Sequence, residues 1–333
     1  MKDFDFVIEL GGSYVSIYKK NGGLVLKERS ILAVNKNDEK LIIKAFGNEA
    51  DKLEKINDPN IIVFSPFAEG LVKSQDYAKL LLSHFLKKAN IKKSIFNALS
   101  CIVCIPCGLT EQDKKEYEKL MYSCNIENVV FIPSVYLIAI NNGMKKHSKN
   151  NIIVDMGGSK TDVALVDYEG VRMGATLPLG SRNINPALSE ELQQKYKLEI
   201  PLYLVEQLKI ELSSLFENDI SSMKIQVFEP NIDSTVTTIV YASDIKKVIV
   251  PYIDEIIKVI ETTLNMLNDE ELSWIKQNGI LISGGMAKIS GLEEYLKSKL
   301  GISVEIDENC DNSNIFGCAK LLKDKELLDI VLK

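Results

Sequence analysis

The sequence predicts an α/β fold of two related lobes with a cleft between them. Three observations carry that expectation. A unit of strand, acid, Gly-Gly-Ser and return strand occurs twice, about 150 residues apart, a spacing that means duplicated lobes rather than a short-period array. Each copy opens a group of three strands that gives way to alternating helix and strand. A chain of 333 residues is long enough for two domains of ordinary size, each with its own core.

Composition narrows the class. Hydrophobic residues make up 46% and charged residues 26% of the chain, the balance of a soluble globular protein. The net charge of −6 argues against a general nucleic-acid surface. Arginine is confined to Arg29, Arg172 and Arg182, while lysine is abundant, and no function is read from that bias. The opening Met1-Lys-Asp-Phe-Asp-Phe6 places acids where a signal peptide needs an apolar run. No apolar stretch approaches the roughly 20 residues that span a bilayer, so a cytoplasmic location is expected.

Cysteine adds little. Cys101-Ile-Val-Cys104-Ile-Pro-Cys107 has metal-like spacing. It sits in a strand, however, where a separation of three puts Cys101 and Cys104 on opposite faces. No second such pair and no nearby His completes a tetrahedral set, so core thiols are expected there, and at Cys124, Cys310 and Cys318. His84 and His147 have no visible partner in the sequence.

In chain order, Phe6-Val-Ile-Glu9-Leu-Gly11-Gly12-Ser13-Tyr-Val-Ser-Ile-Tyr18 is the first unit, and Gly23 to Ile31 supplies a third strand. Polar turns around Asn35–Asp38 and a small helix from Asn48 follow. Asp76 to Asn90 has helical periodicity, with Tyr77, Leu80, Leu81, Leu82, Phe85 and Leu86 mainly on one face and Lys79, Lys87 and Lys88 off it. Ala98 to Ile105 reads as a buried strand. Thr110 with Asp113 three residues on is a capping box for a helix reaching Cys124. Val129 to Ile132 is a strand and Tyr136 to Gly143 an apolar helix. The polar run Lys145 to Asn150 is the expected boundary, with residues 1–145 as the first lobe and 146–309 as the second.

The second unit is Asn151-Ile-Ile-Val-Asp155-Met-Gly157-Gly158-Ser159-Lys160-Thr161-Asp162, returning as a strand to Val166. Glycines let backbone N–H groups close over a phosphate with no Cβ in the way. The acid ending the first strand suits a hydrated Mg²⁺ beside that phosphate, and Ser159 or Thr161 can add a hydrogen bond. A strand from Val171 to Leu177 and helices at Asn185–Lys195 and Leu204–Phe216 are expected next. A strand pair, Lys224–Phe228 and Thr235–Tyr241, turns at Pro230–Asp233. Ser243 is expected to cap a helix running to Leu267 with an interruption near Pro251. Gly279 to Ser283 is a strand, Gly284-Gly285 a turn, Ile289 to Leu300 a helix and Val304 to Ile306 a strand. Residues 310–333, helical from Ile315 to Leu332, are expected to pack back on the first lobe.

Taken together, Glu9–Ser13, Asp155–Ser159, Leu179-Gly180-Ser181 and Ile282-Ser-Gly284-Gly285-Met286 resemble the actin-like ATPase superfamily, and within it the MreB family of bacterial actins. That resemblance, which runs nearly end to end, implies a duplicated ribonuclease H-like fold with ATP or ADP and Mg²⁺ in the interlobe cleft. Glu9, Gly11, Gly12 and Ser13 would form the first phosphate loop; Gly157, Gly158, Ser159, Lys160 and Thr161, with Gly180, the second. Ile105-Pro-Cys-Gly108-Leu-Thr110-Glu111 resembles the connecting strand and turn. Glu206 and Lys209 would touch ribose and adenine, and Gly284, Gly285 and Met286 would form the adenosine motif. Glu9 and Asp155 would hold Mg²⁺ through water.

Three departures from the family pattern matter. Glu9 stands where the first loop normally has Asp, Ser134 where an acid normally orients the attacking water, and Met286 where a third glycine is usual. The resemblance therefore implies a nucleotide-dependent filament of copies of this chain, with slow or absent hydrolysis. Asp155 would be the remaining catalytic acid and Glu111 a substitute. It also implies membrane-associated morphogenesis or division partners at the inner membrane face. Two other readings stay open: a degenerate nucleotide-binding scaffold of the FtsA kind, and a small-molecule kinase of the same superfold. The C-terminal leucines from Ala319 to Lys333, with their balanced charge, are expected to pack on the chain's own lobe rather than on a membrane.

Overall fold

The duplicated unit folds twice in the same way. In this computed structural model, which describes residues 4–36, 42–92, 98–144, 150–229 and 233–332, Phe6–Leu10 pairs antiparallel with Tyr14–Lys19 and parallel with Leu99–Ile105. Asn151–Met156 pairs antiparallel with Thr161–Asp167 and parallel with Ile280–Ser283. Gly23–Arg29 and Ile126–Pro133 complete the first five-stranded sheet, Gly170–Leu177 and Val304–Ile306 the second, in corresponding orders. Both hairpin turns close with the same bond, Gly11 N–H to the Tyr14 carbonyl at 3.0 Å and Gly157 N–H to that of Lys160 at 2.9 Å.

Alternation along each first strand decides where the cores lie. Phe6, Ile8 and Leu10 point to the core of the first lobe, and Ile152, Val154 and Met156 to that of the second. The intervening Val7 and Ile153 enter a third core between the sheets. Two helices fill it, Ser134–Asn141 and Ser313–Leu321. The first is buried from Ser134 to Ile140, as a helix apolar all round must be. A Cβ on Gly317 would stand 1.8 Å from the Leu137 carbonyl oxygen, so only glycine permits these backbones to cross so closely. Helix Ser313–Leu321 also touches Phe6–Leu10 and Tyr14–Lys19. Leu321, Leu322, Leu327 and Leu328 are buried there.

Several local expectations change. Leu32–Asn35, Ile43–Phe46 and Ile61–Phe64 form a small three-stranded sheet beside helix Gly47–Ile56, where short runs gave no readable alternation. Pro251 does not interrupt its helix, which is continuous from Ala242 to Asn265. Ile245, Ile249, Ile253, Ile256 and Ile260 bury one face of it, and that packing outweighs the single backbone bond a proline removes. The helix starts one residue before Ser243, with Tyr241 N–H bonded to the Asp244 carboxylate at 3.3 Å. Helix Asp269–Asn278, absent from the sequence reading, is closed by an Asn268–Glu271 capping box. The last segment is two helices, because Asp324 accepts from Leu327 N–H and restarts the chain as Lys325–Val331. Thr110 and Asp113 form the expected capping box. Lys145–Lys149, with His147, the Pro230–Ile232 part of one turn and residues 37–41 beside another lie outside the described residues.

Cys101 and Cys104 enter different cores, as their spacing requires. His84 stacks on Phe46 with ring centroids 4.5 Å apart.

Candidate functional site

Each acid stands at the carboxyl end of a central strand, Glu9 opposite Cys104 and Asp155 opposite Ser283. Ligands of open α/β sheets bind at that end. The duplication brings the two ends face to face. A Cβ on Gly12 would lie 2.4 Å from the Ser159 Cβ, and one on Gly158 would lie 2.8 Å from that of Ser13. The two glycine turns thus abut reciprocally, each glycine against the other turn's serine. Gly180 backs the second turn, with Ser181 N–H bonded to the Gly157 carbonyl at 3.0 Å and Arg182 N–H to that of Gly158 at 2.8 Å. Arg182 then crosses to the first turn and donates from Nη1 to the Gly12 carbonyl at 2.6 Å. Around this junction runs a cleft of about 1120 Å³, large enough for a drug-sized or nucleotide-sized ligand.

At its floor Glu9 accepts from Asn314 Nδ2 at 2.7 Å, a contact that reaches across 305 positions of sequence. Burial raises the Glu9 carboxyl above the usual range, Asn314 opposes this, and the charge of Asp155 adds to it. Burial likewise raises Asp155, opposed by Lys160. The Lys160 ammonium lies 3.6 Å from Asp155 Oδ2 and is ion-paired with the fully buried Asp162. Burial works against that ammonium, but the two carboxylates outweigh it and hold Lys160 charged. The Mg²⁺ expected at Glu9 and Asp155, held through water, would meet two groups already in place there. A divalent ion there would sit against an ammonium already placed at Asp155, and one Glu9 oxygen is taken by an amide donor. This donor set does not fit Mg²⁺.

The wider end is lined by Glu206, Lys209, Gly284, Gly285 and Met286. Arg29 crosses from the first sheet to Glu206, with Nη1 and Nη2 at 3.5 and 3.4 Å, and keeps Asp51 at 3.4 Å. Tyr14 stacks beneath the guanidinium, 5.5 Å from ring centroid to Cζ. Gly284, at φ +85°, lies so close to the Met156 carbonyl that a Cβ would approach its oxygen to 2.4 Å. Lys209 Nζ donates to the Ser181 carbonyl at 2.6 Å and to Asn185 Oδ1 at 2.5 Å.

Burial pushes Lys209 down to about 8 from 10.5, partly offset by Glu206. The unfolded chain keeps that proton up to its ordinary value. Between about pH 8 and 10.5 the unfolded state therefore binds more protons, and stability should rise with pH across that window. Urea midpoints for the native chain and Lys209→Met, taken near both ends of the window, check it. The difference between the two proteins should change across the window, and a constant difference would refute the assignment.

Of the residues singled out in the sequence, Glu9, Gly11, Gly12, Ser13, Ser134, Asp155, Gly157, Gly158, Ser159 and Lys160 line the cleft together with the five at the wider end. Thr161 is fully buried and donates to the Leu179 carbonyl at 2.8 Å, so its hydroxyl supports the second turn from behind. Glu111 does not reach the cleft. It opens helix Glu111–Ser123 on the surface, bridged to Lys114 at 2.7 Å. As a substitute catalytic acid it is misplaced. Arg29, Arg182 and Asn314 were missed.

Comparison with known proteins identifies the family and the fold. The profile of the MreB/Mbl protein family matches residues 3–330. The chain is 24% identical to the cell shape-determining protein Mbl of Bacillus subtilis, covering 97% of each sequence. It is 23% identical to the cell shape-determining protein MreB of Escherichia coli K12, over 92% of this chain and 89% of that one. Among solved structures, MreB5 of Spiroplasma citri bound to ADP superposes with a TM-score of 0.87 at 20% identity, covering 98% of this chain and 97% of the other. The MamK double helical filament gives 0.79 at 17% identity, covering 96% and 99%. The chain belongs to the MreB/Mbl protein family.

Proposed function

We propose that this chain binds ATP or ADP between its lobes and assembles with copies of itself into filaments that serve cell shape or division. The observation that carries the reading is the reciprocal fit of Gly12 against Ser159 and Gly158 against Ser13 at the head of a nucleotide-sized cleft. Donor-rich glycine turns from two lobes suit an anionic chain held between them. The ADP-bound MreB5 structure, the MamK filament and the cell-shape names of the relatives support the same reading. Closing the lobes on a nucleotide would set the shape that stacks head to tail, a contact that does not close on itself. Further partners would be morphogenesis or division proteins at the inner membrane face. No helix among the described residues is long and apolar enough to cross a membrane.

Turnover should be slow. Ser134 is buried at the cleft where the family pattern has an acid, and its hydroxyl cannot act as a carboxylate base. Phosphate release and sedimentation should be measured on one sample with and without ATP. The expected result is nucleotide-dependent pelleting with little phosphate, and no pelleting in either state would refute filament formation. Ser134→Glu should raise phosphate release by about 10²-fold, the lower range for a positioned base. An unchanged rate would refute Ser134 as the cause. A nucleotide-binding scaffold that never polymerises is the second reading, and the same replaced acid favours it.

A further inference from the structure

We propose that the Lys160 ammonium stands in for a divalent cation at the phosphate end of the cleft, so that this chain holds a nucleoside triphosphate without Mg²⁺. The proposal rests on the nucleotide reading above and adds how its phosphates are neutralised.

The geometry points to a built cation rather than a chance surface lysine. Lys160 follows Gly157-Gly158-Ser159 directly, so the second turn itself delivers it. Its ammonium is ion-paired with Asp162 and lies 3.6 Å from Asp155, the acid at the strand end. Asp162 is fixed in turn, because it is fully buried and accepts from the Thr176 hydroxyl and from Cys107 Sγ at 3.6 Å. The stem is also confined. A Cβ on Gly70 would stand 2.9 Å from Lys160 Cδ and 2.7 Å from Pro106 Cγ, so the first lobe closes over the methylenes. Gly70 is itself held there by the Tyr117 hydroxyl, which donates to its carbonyl at 2.8 Å.

An ammonium has three donors and no acceptor. With Asp162 taking one and Asp155 facing a second, the third is available to a phosphate oxygen in the cleft that Lys160 lines. Lysine binds phosphate as a point charge and needs no bidentate geometry for it. In a dry site that same charge repels a second cation strongly. The Asn314 amide on Glu9 adds to the mismatch, since it supplies a donor to an oxygen that a hydrated metal would need.

The test uses the full-length chain and ATP, with affinity measured by calorimetry in excess EDTA and again in excess MgCl₂. The two dissociation constants should agree within about tenfold. A larger loss in EDTA would overturn the proposal, whereas absence of binding in both buffers would overturn the nucleotide reading with it. Lys160→Gln should lose at least about tenfold in EDTA and recover with MgCl₂, while Lys160→Arg should stay independent of metal. If Lys160→Gln binds equally well in EDTA, the ammonium is not the phosphate counter-charge and the proposal fails. Thermal melts show whether Lys160→Gln is folded. Should it not fold, the native chain in the two buffers decides.

Discussion

Gly317→Val should destabilise the chain by about 3 kcal/mol, the upper end for forcing extra atoms into a closed core. A Cβ at that position meets the Leu137 carbonyl oxygen at 1.8 Å and its carbon at 2.6 Å. Both are backbone atoms of a helix, so no side-chain rotation relieves the overlap and the helices Ser134–Asn141 and Ser313–Leu321 must separate. Separation opens the one core to which both sheets contribute, through Val7 and Ile102 on one side and Ile153 and Ala164 on the other. The contrast is Gly285→Ala, where nothing lies within 4 Å of the added carbon. Urea unfolding should show a large drop in midpoint for Gly317→Val and almost none for Gly285→Ala. Equal midpoints would mean the crossing is looser than described.

The second large effect falls on ligand affinity. Gly12→Ala should weaken ATP binding by about 10- to 100-fold, because an added methyl in closed packing costs about 1–3 kcal/mol. Its carbon would overlap the Ser159 Cβ at 2.4 Å, and relief requires the two turns to move apart. Ser159→Gly removes the obstructing atoms. The double substitution Gly12→Ala with Ser159→Gly should therefore regain most of the lost affinity, although each change alone alters a phosphate turn. Such coupling between neighbours is what a double-mutant cycle reads. Purely additive losses would refute the reciprocal fit of the two turns.

Much of this arrangement could be read from the sequence because it depends on short-range chemistry. Glu9-Leu-Gly-Gly-Ser and Asp155-Met-Gly-Gly-Ser state the strand end, the turn and the hydroxyl within five residues each, and the duplication announces that they belong together. Thr110 with Asp113 likewise declares a helix start. What stayed hidden is long-range. Asn314 belongs to the cleft only because a glycine crossing brings helix Ser313–Leu321 against the first sheet. No spacing in the sequence connects positions 9 and 314.

Arginine offered a signal that went unused. Of the only three in the chain, Arg29 and Arg182 both span the cleft, one to Glu206 and the other to the Gly12 carbonyl. In a lysine-rich chain, a rare guanidinium at two cleft positions fits the need for planar, bidentate or buried donors that an ammonium cannot supply. Glu111 was misjudged for the opposite reason. Ile105 and Pro106 of the preceding strand end line the cleft, but the helix Glu111 opens turns its side chain to solvent. Pro251 was misjudged because its local cost is offset by six buried isoleucines, Ile257 among them, that a local rule does not count.

The central claim is that two glycine turns related by duplication grip one adenine nucleotide between the lobes. Calorimetric titration of the purified chain with ATP tests it most directly. The account predicts saturable heat at one ATP per chain, abolished or much weakened in Gly12→Ala. No heat with ATP or ADP, in either EDTA or MgCl₂, would contradict it.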